Sequence, residues 1–213
     1  MPSREFESQR RDLAARLQSR YDLSPEVTEA IATVPREEFV PDRLRSSAYA
    51  DKPLPIGDGQ TISAPHMVAM MVAELALDPG ADVLEIGTGC GYHAAVTAEL
   101  VGPAHVYSVE YSESLAESAR ERLAELGYGD ISIRHANGYH GWAEHAPYDA
   151  AYLTCAAGRF PDAVIDQVRV GGRLLGPLGR GAQRLVRAEK LPDGSLDRAD
   201  LGGVRFVEMR GGP

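Results

Sequence analysis

This sequence predicts an α/β fold: a mostly parallel sheet flanked by helices, with further helices at the N-terminus and an antiparallel hairpin at the C-terminus. Three observations carry that prediction. Between residues 81 and 179 short apolar runs alternate with amphipathic ones, the pattern of strands joined by right-handed helical crossovers. The turn Gly87-Thr88-Gly89-Cys90-Gly91 stands between the first apolar run and a helical one. The tail alternates polar and apolar residues on both sides of Pro192-Asp193-Gly194, which marks a hairpin on a sheet edge.

Length and composition bound the answer. A chain of 213 residues suits one α/β domain, 1–213. Its expected parts are N-terminal helices (1–50), a loop (51–66), a ligand-binding core (80–180) and the C-terminal hairpin (181–213). Apolar residues make up 44% and charged residues 25%, the balance of an ordinary globular protein. No run reaches the ~18 apolar residues of a membrane-spanning helix. The first residues are charged almost at once and lack a signal-peptide core, so a cytoplasmic protein is expected. The net charge of −9 argues against non-specific binding of nucleic acid, which requires neutralisation of phosphates. Cys90 and Cys155 are the only cysteines, too few for a disulfide framework or a cysteine zinc site.

The elements follow in order. Leu13, Leu17 and Tyr21 share one helical face. Ser24-Pro25 starts a second helix, with Ser as cap and Pro at the first position, and Pro35 ends it. Residues 51–66 are dense in Pro and Gly and read as a long loop, which in a compact domain is usually functional. Helix resumes near Ala64 and stops at Asp78-Pro79-Gly80. Strands are expected at 81–86, 105–110, 131–135, 148–154 and 173–179. Helices are expected at 92–101, after Ser112 with Leu115, Ala119, Leu123 and Leu126 on its apolar face, and at 160–169.

The glycine turn lies at the carboxyl end of a parallel strand, where open α/β sheets bind ligands. Its spacing is G-x-G-x-G. A dinucleotide fingerprint needs a further glycine where Tyr92 stands, which disfavours a nicotinamide enzyme. Glu110 ends the next strand, placed to accept the hydroxyl hydrogens of a ribose. Asn137-Gly138 follows the third strand. By strand order this loop is expected beside the glycine turn, with Asn137 facing an adenine edge; the same dipeptide also reads as a plain turn. Cys90 and Cys155 fall at the ends of neighbouring strands, either lining the pocket or as inert buried thiols. His135, His140 and His145 lack a ligand spacing, so no metal is expected.

The strings GDGQTISAPHM (57–67) and DVLEIGTGCGY (82–92) closely resemble the protein-L-isoaspartate O-methyltransferase family. So do VPREEFVP (34–41), HGWAEHAPYDA (140–150), the GGRLLGPLG run and VRFV (204–207). The resemblance implies a Rossmann-like methyltransferase sheet and S-adenosyl-L-methionine as cofactor. It also implies methylation of the free carboxylate of L-isoaspartyl residues in damaged proteins, which are then the partners; a monomer is expected. By this similarity Ser63 is the active-site serine. Thr61, Ile62, Leu54, Ile56 and Gly59 would line the peptide groove. Glu85, Gly87, Thr88, Gly89 and Gly91 would cradle the cofactor, with Glu110 on its ribose and Asn137 and Gly138 at its base.

The chemistry agrees. A carboxylate is already ionised at neutral pH and needs no general base, so the task is alignment. Ser63 would act as a positioning donor, although local pattern alone reads it as the cap of the helix starting near Ala64. The chain departs from the family pattern in several places. Asn137 stands where Asp is usual, Cys90 where Ser is common and His93 where Gln is common. Gly158-Arg159 and the Val-Glu-Met tail also differ. A neutral Asn137 predicts weaker cofactor binding, by about 1 kcal/mol. Two alternatives remain: a methyltransferase of this fold for another carboxylate or small molecule, and a non-catalytic isoaspartyl-binding protein.

Overall fold

The structure, a computed structural model, describes residues 4–212. The first three residues of the expected N-terminal helical stretch and the last of the expected C-terminal region lie outside the described residues.

Helices α1 (Arg4–Tyr21) and α2 (Pro25–Thr33) pack on each other and bury Leu13, Leu17, Val27 and Ile31. The Ser24 hydroxyl accepts the Val27 N–H at 3.3 Å and Pro25 takes the first turn, as the sequence predicts. Such a cap contributes about 1 kcal/mol. Past Pro35 the chain continues as two short 3-10 helices, Arg36–Phe39 and Asp42–Ser47.

The expected loop at 51–66 is instead largely a β-ribbon of β1 (Leu54–Gly57) and β2 (Gln60–Ile62). Asp58 and Gly59 turn it with φ of 49° and 69°. Two positive φ values in a two-residue turn match the twist of a hairpin, and Asp-Gly is the dipeptide that supplies them. That signal was present in the sequence, masked by the surrounding prolines. Leu54 faces Ile62 across the ribbon, and both are buried. Helix α3 (Pro65–Leu75) follows at once.

The main sheet contains β3 (Val83–Ile86), β4 (Val106–Glu110), β5 (Ser132–His135), β6 (Tyr148–Leu153), β7 (Val168–Leu178), β8 (Gln183–Lys190) and β9 (Leu196–Val204). Its order is β5-β4-β3-β6-β7-β8-β9. The first five strands in that order are parallel, and β8 and β9 form the antiparallel hairpin. Helix α6 (Asp162–Gln167) is shorter than the expected 160–169, because the chain pairs into β7 from Val168. The Asn137 loop therefore follows a strand two places from β3, not its neighbour. It still reaches β3 by folding back over the end of β4: a Cβ on Gly138 would strike the Ile86 side chain.

Helix α4 (Tyr92–Val101) is buried on nearly every side, against β4, α2 and α3. A helix apolar all round belongs in a core. Helix α5 (Glu113–Glu125) instead buries one stripe, Leu115, Ala116, Ala119 and Leu123. Both faces of β3 are covered: Val83 lies in the core shared with α4 and Leu123 of α5, and Leu84 and Ile86 in the core shared with Val164 of α6.

Candidate active site

The carboxyl ends of β3, β4 and β6 open into a cleft, the place where open α/β sheets bind ligands. It has three walls.

The first is the glycine turn. Gly87, Gly89 and Gly91 have φ of 101°, 55° and 91°, a backbone that side chains oppose. The Gly87 N–H donates to Val109 O at 2.8 Å, and a Cβ on Gly87 would collide with Thr154. The Gly89 N–H donates to Glu110 Oε2 at 2.8 Å, and the Ser112 N–H donates to Glu110 Oε1 at 2.9 Å. Glu110 thus ties the turn to the loop after β4. A carboxylate has about four lone-pair sites, so it retains capacity for two further hydroxyls. Ile86, Val109 and Met209 add apolar surface beside it. A backbone stripped of Cβ atoms, a carboxylate with free acceptor capacity and an adjacent apolar slot fit the ribose and flat base of an adenosine.

Gly87, Thr88, Gly89, Glu110 and Gly138 all line this cleft. Gly91, Glu85 and Asn137 do not. Gly91 caps α4, where a Cβ would press on Leu123. Glu85 is fully buried beneath the floor. Its Oε2 accepts from Ser108 Oγ at 2.5 Å and its Oε1 from Tyr152 OH at 2.9 Å; Ser108 Oγ is 2.6 Å from Thr88 Oγ1. Burial pushes the Glu85 carboxyl up to about 8, although Ser108 and Tyr152 both donate to it. Glu85 therefore supports the glycine-turn wall through Ser108 and Thr88. Asn137 Oδ1 accepts the Tyr139 N–H at 3.1 Å, and its Nδ2 donates to Gly212 O at 2.8 Å. This is the turn reading of Asn-Gly, and it leaves that amide engaged with the protein.

The second wall is β2 and the start of α3. Thr61, Ile62 and Ser63 line the cleft. Leu54, Ile56 and Gly59 stand behind them: Leu54 packs on Ile62, Ile56 lies against Gly89, and Gly59 is at the ribbon tip near Arg210. The cap of α3 falls on Ala64, not Ser63, with no side-chain bond from the cap itself. Asp51 takes that work. Its Oδ1 accepts the His66 N–H at 3.0 Å and lies 2.8 Å from His66 Nδ1. No group among the described residues bonds the Ser63 hydroxyl. The Ser63 carbonyl accepts from Arg36 Nη2 at 2.8 Å.

The third wall, residues 207–210, escaped the sequence reading. Ala156 N–H donates to Val207 O at 2.7 Å and Met209 N–H to Ala156 O at 2.8 Å, fixing this segment beside the end of β6. Arg210 then reaches the ribbon: Nη1 donates to Asp58 Oδ2 and Nη2 to Asp58 O, each at 2.6 Å. Ser112 and Arg210 hold the Asp58 carboxyl below its usual value.

Cys90 and Cys155 both line the cleft. Burial raises the Cys90 thiol and pushes Cys155 up to about 12, so both stay protonated and unreactive at neutral pH. His93 also lines it, with its ring centroid 4.6 Å from that of Tyr152. Desolvation drops His93 to about 3, and neither ring nitrogen has a partner among the described residues. His135, His140 and His145 do not converge; the His145 ring centroid is 4.4 Å from that of Tyr107. Among the described residues no three His, Cys, Asp or Glu side chains group as for a metal.

A family model described as protein-L-isoaspartate(D-aspartate) O-methyltransferase matches residues 8–212. Protein-L-isoaspartate O-methyltransferase 2 of Archaeoglobus fulgidus is 48% identical over 97% of this chain and 95% of its own length. The Ignicoccus hospitalis protein-L-isoaspartate O-methyltransferase is 50% identical over 96% of this chain and 98% of its own. A solved protein-L-isoaspartate O-methyltransferase superposes with a TM-score of 0.87 at 31% identity, over 95% of this chain, which spans 66% of that longer one. A Plasmodium falciparum chain solved with S-adenosyl-L-homocysteine shares the fold at 23% identity, with a TM-score of 0.81 over 94% of this chain and 98% of its own. The chain belongs to the protein-L-isoaspartate(D-aspartate) O-methyltransferase family.

Proposed function

We propose that this cleft carries out the family's reaction with Ser63 as the group that holds the accepting carboxylate. The activity is methyl transfer from S-adenosyl-L-methionine to the free carboxylate of L-isoaspartyl residues in damaged proteins. The observation that carries the residue assignment is Ser63 itself, which lines the same cleft as Glu110 and the glycine turn and whose hydroxyl has no partner among the described residues.

When bound, S-adenosyl-L-methionine supplies an electrophilic methyl group on a sulfonium. The chain's own residues do the remainder. Gly87 and Gly89 admit the cofactor close to the backbone, Thr88 forms part of the floor, and Glu110 takes the ribose hydroxyls. Thr61 and Ile62 line the path of the damaged peptide, and Ser63 donates its hydroxyl hydrogen to one carboxylate oxygen, leaving the other free to attack. No base is required, since the nucleophile is an anion already. Its orientation is the catalytic contribution. Cys90 and Cys155, held as thiols, act as wall and not as nucleophiles.

This reading treats 1–213 as one catalytic domain and the enzyme as a cytoplasmic monomer acting on protein substrates. The net charge of −9 disfavours nucleic acid as a partner. No helix among the described residues is long and apolar enough to cross a membrane.

The test is a pair of peptides differing only in Asp versus isoAsp, incubated with methyl-labelled S-adenosyl-L-methionine. Base-labile label on the isoAsp peptide alone is expected. Label on neither peptide, with cofactor still bound, would instead favour a different carboxylate substrate or a binding protein.

A further inference from the structure

We propose that Arg36 is a positioning residue for the methyl-accepting carboxylate, acting through Ser63, and that Asp51 keeps the Ser63 hydroxyl available by capping α3 in its place. The proposal rests on the reading of Ser63 as the carboxylate-holding donor.

Arg36 is fully buried. No carboxylate among the described residues pairs with it; the adjacent Glu37 is engaged by Arg10 and Tyr49. Its guanidinium instead donates Nε–H to Ala48 O at 2.9 Å and Nη2–H to Ser63 O at 2.8 Å, and its Cζ lies 4.8 Å from the centre of the Tyr92 ring. Nη1 has no partner. A buried cation without a counter-ion is costly, and an apolar side chain of similar volume would ordinarily serve stability as well. The arrangement provides reach and rigidity. One planar fork holds two carbonyls, 12 and 27 residues away in sequence, in fixed relation. Fixing the Ser63 carbonyl fixes the peptide plane after it and thereby the direction of the Ser63 Cα–Cβ bond.

Asp51 completes the device. The first N–H groups of a helix need acceptors, and a serine just upstream is a ready one. Asp51 supplies that acceptor from 15 residues away. The Ser63 hydroxyl is therefore not drawn onto the helix end, and Ser63 lines the cleft. The two residues serve one serine in different ways: Arg36 holds its carbonyl, and Asp51 removes the competing bond by taking the His66 N–H.

The experiment compares Arg36→Lys, Asp51→Ala and Ser63→Ala, singly and as the two doubles with Ser63→Ala. For each we would measure kcat and KM on an isoAsp peptide and S-adenosyl-L-homocysteine affinity by calorimetry. Each single variant is expected to lower kcat, by up to about 10²-fold, as expected for a misplacement of ~1 Å at the reacting group. Cofactor affinity should stay within about twofold, because the Glu110 wall is untouched. In the Ser63→Ala background neither second substitution should lower kcat further, as residues acting through one group are not additive. Losses that multiply in the doubles, or cofactor affinity falling in step with kcat, would overturn the proposal. Full kcat in Ser63→Ala would overturn both the Ser63 reading and this one, whereas multiplying losses alongside a crippled Ser63→Ala would sink only this one. If Arg36→Lys does not fold, the Asp51→Ala cycle decides by the same criteria.

Discussion

The cofactor wall and the substrate wall of this cleft are built in different ways. The glycine turn, Glu110 and the buried Glu85 network sit on adjacent parallel strands: the Gly87 and Gly89 N–H groups bond Val109 O and Glu110 Oε2 on the next strand, and Thr154 Oγ1 at the end of β6 donates to Gly87 O. Ser63 is held by Arg36 from 27 residues away, α3 is capped by Asp51 from 15, and the ribbon tip is clasped by Arg210 across 152. One wall follows mainly from the backbone of three neighbouring parallel strands, β4, β3 and β6. The other is assembled from side chains drawn from remote segments. The first should therefore be sensitive to backbone strain and the second to individual side chains.

The largest effect is expected at the cofactor wall. Gly87→Val combines a φ of 101° with a collision against Thr154, which costs about 3 kcal/mol or more from strain and overlap. S-adenosyl-L-homocysteine binding should fall below detection in calorimetry. Retained binding would show that the turn tolerates a side chain.

Glu85 tests the same wall through pH. Its folded value, about 8, lies above the 4.5 of an ordinary carboxyl. The native state therefore holds a proton that the unfolded chain has lost between those values. Its contribution is fully present below pH 4.5 and is lost as pH rises through 8, at up to about 1.4 kcal/mol per pH unit. Glu85→Gln, which keeps an amide in the network, should flatten the fall in Tm from pH 5 to pH 8. An unchanged slope would place the titration elsewhere. His93, lowered to about 3, acts with the opposite sign, removing stability as pH falls below 6.5.

Glu110→Gln comes next. One of the two N–H groups it now accepts, from Gly89 or Ser112, would face an amide NH2 instead. Cofactor affinity should drop about 10- to 100-fold, the scale of one lost charged hydrogen bond, with peptide KM little changed. Equal losses on both ligands would mean that the walls are not separable.

The smallest effect is expected at the clasp. Asp58→Ala or Arg210→Ala breaks an ion pair whose side chains are about two-fifths exposed. Such pairs are weak, so the peptide KM should rise only about two- to fivefold, with cofactor affinity intact. A collapse of kcat would assign Arg210 more than a structural hold on the ribbon.

The same contrast explains what was legible in the sequence. Periodicity placed the parallel strands and the C-terminal hairpin, because each is decided by residues close in the chain. Glu110 ends β4 and lines the cleft, a placement legible in the sequence because strand-end position is a local property. Asn137 and Glu85, expected at the cofactor, do not line the cleft, for one reason: a motif gives a residue's place in the chain, but not whether its side chain faces the ligand or the protein. Glu85 faces the core beneath the turn, and the Asn137 amide engages its own turn and Gly212. The ribbon was missed because the prolines around Asp58-Gly59 hid a hairpin dipeptide. Arg36, Asp51 and residues 207–210 carried motif resemblance or none, and their part in the site depends on tertiary contacts that no periodicity records.

The most direct test of the account is Ser63→Ala measured on both ligands side by side, with S-adenosyl-L-homocysteine affinity by calorimetry and kcat/KM on an isoAsp peptide. The account predicts cofactor affinity within about twofold of the parent and kcat/KM down by about 10²-fold, the effect of removing one preorganised donor. Unchanged turnover, or loss of cofactor binding along with it, would contradict the claim that Ser63 belongs to the substrate wall and holds the carboxylate there.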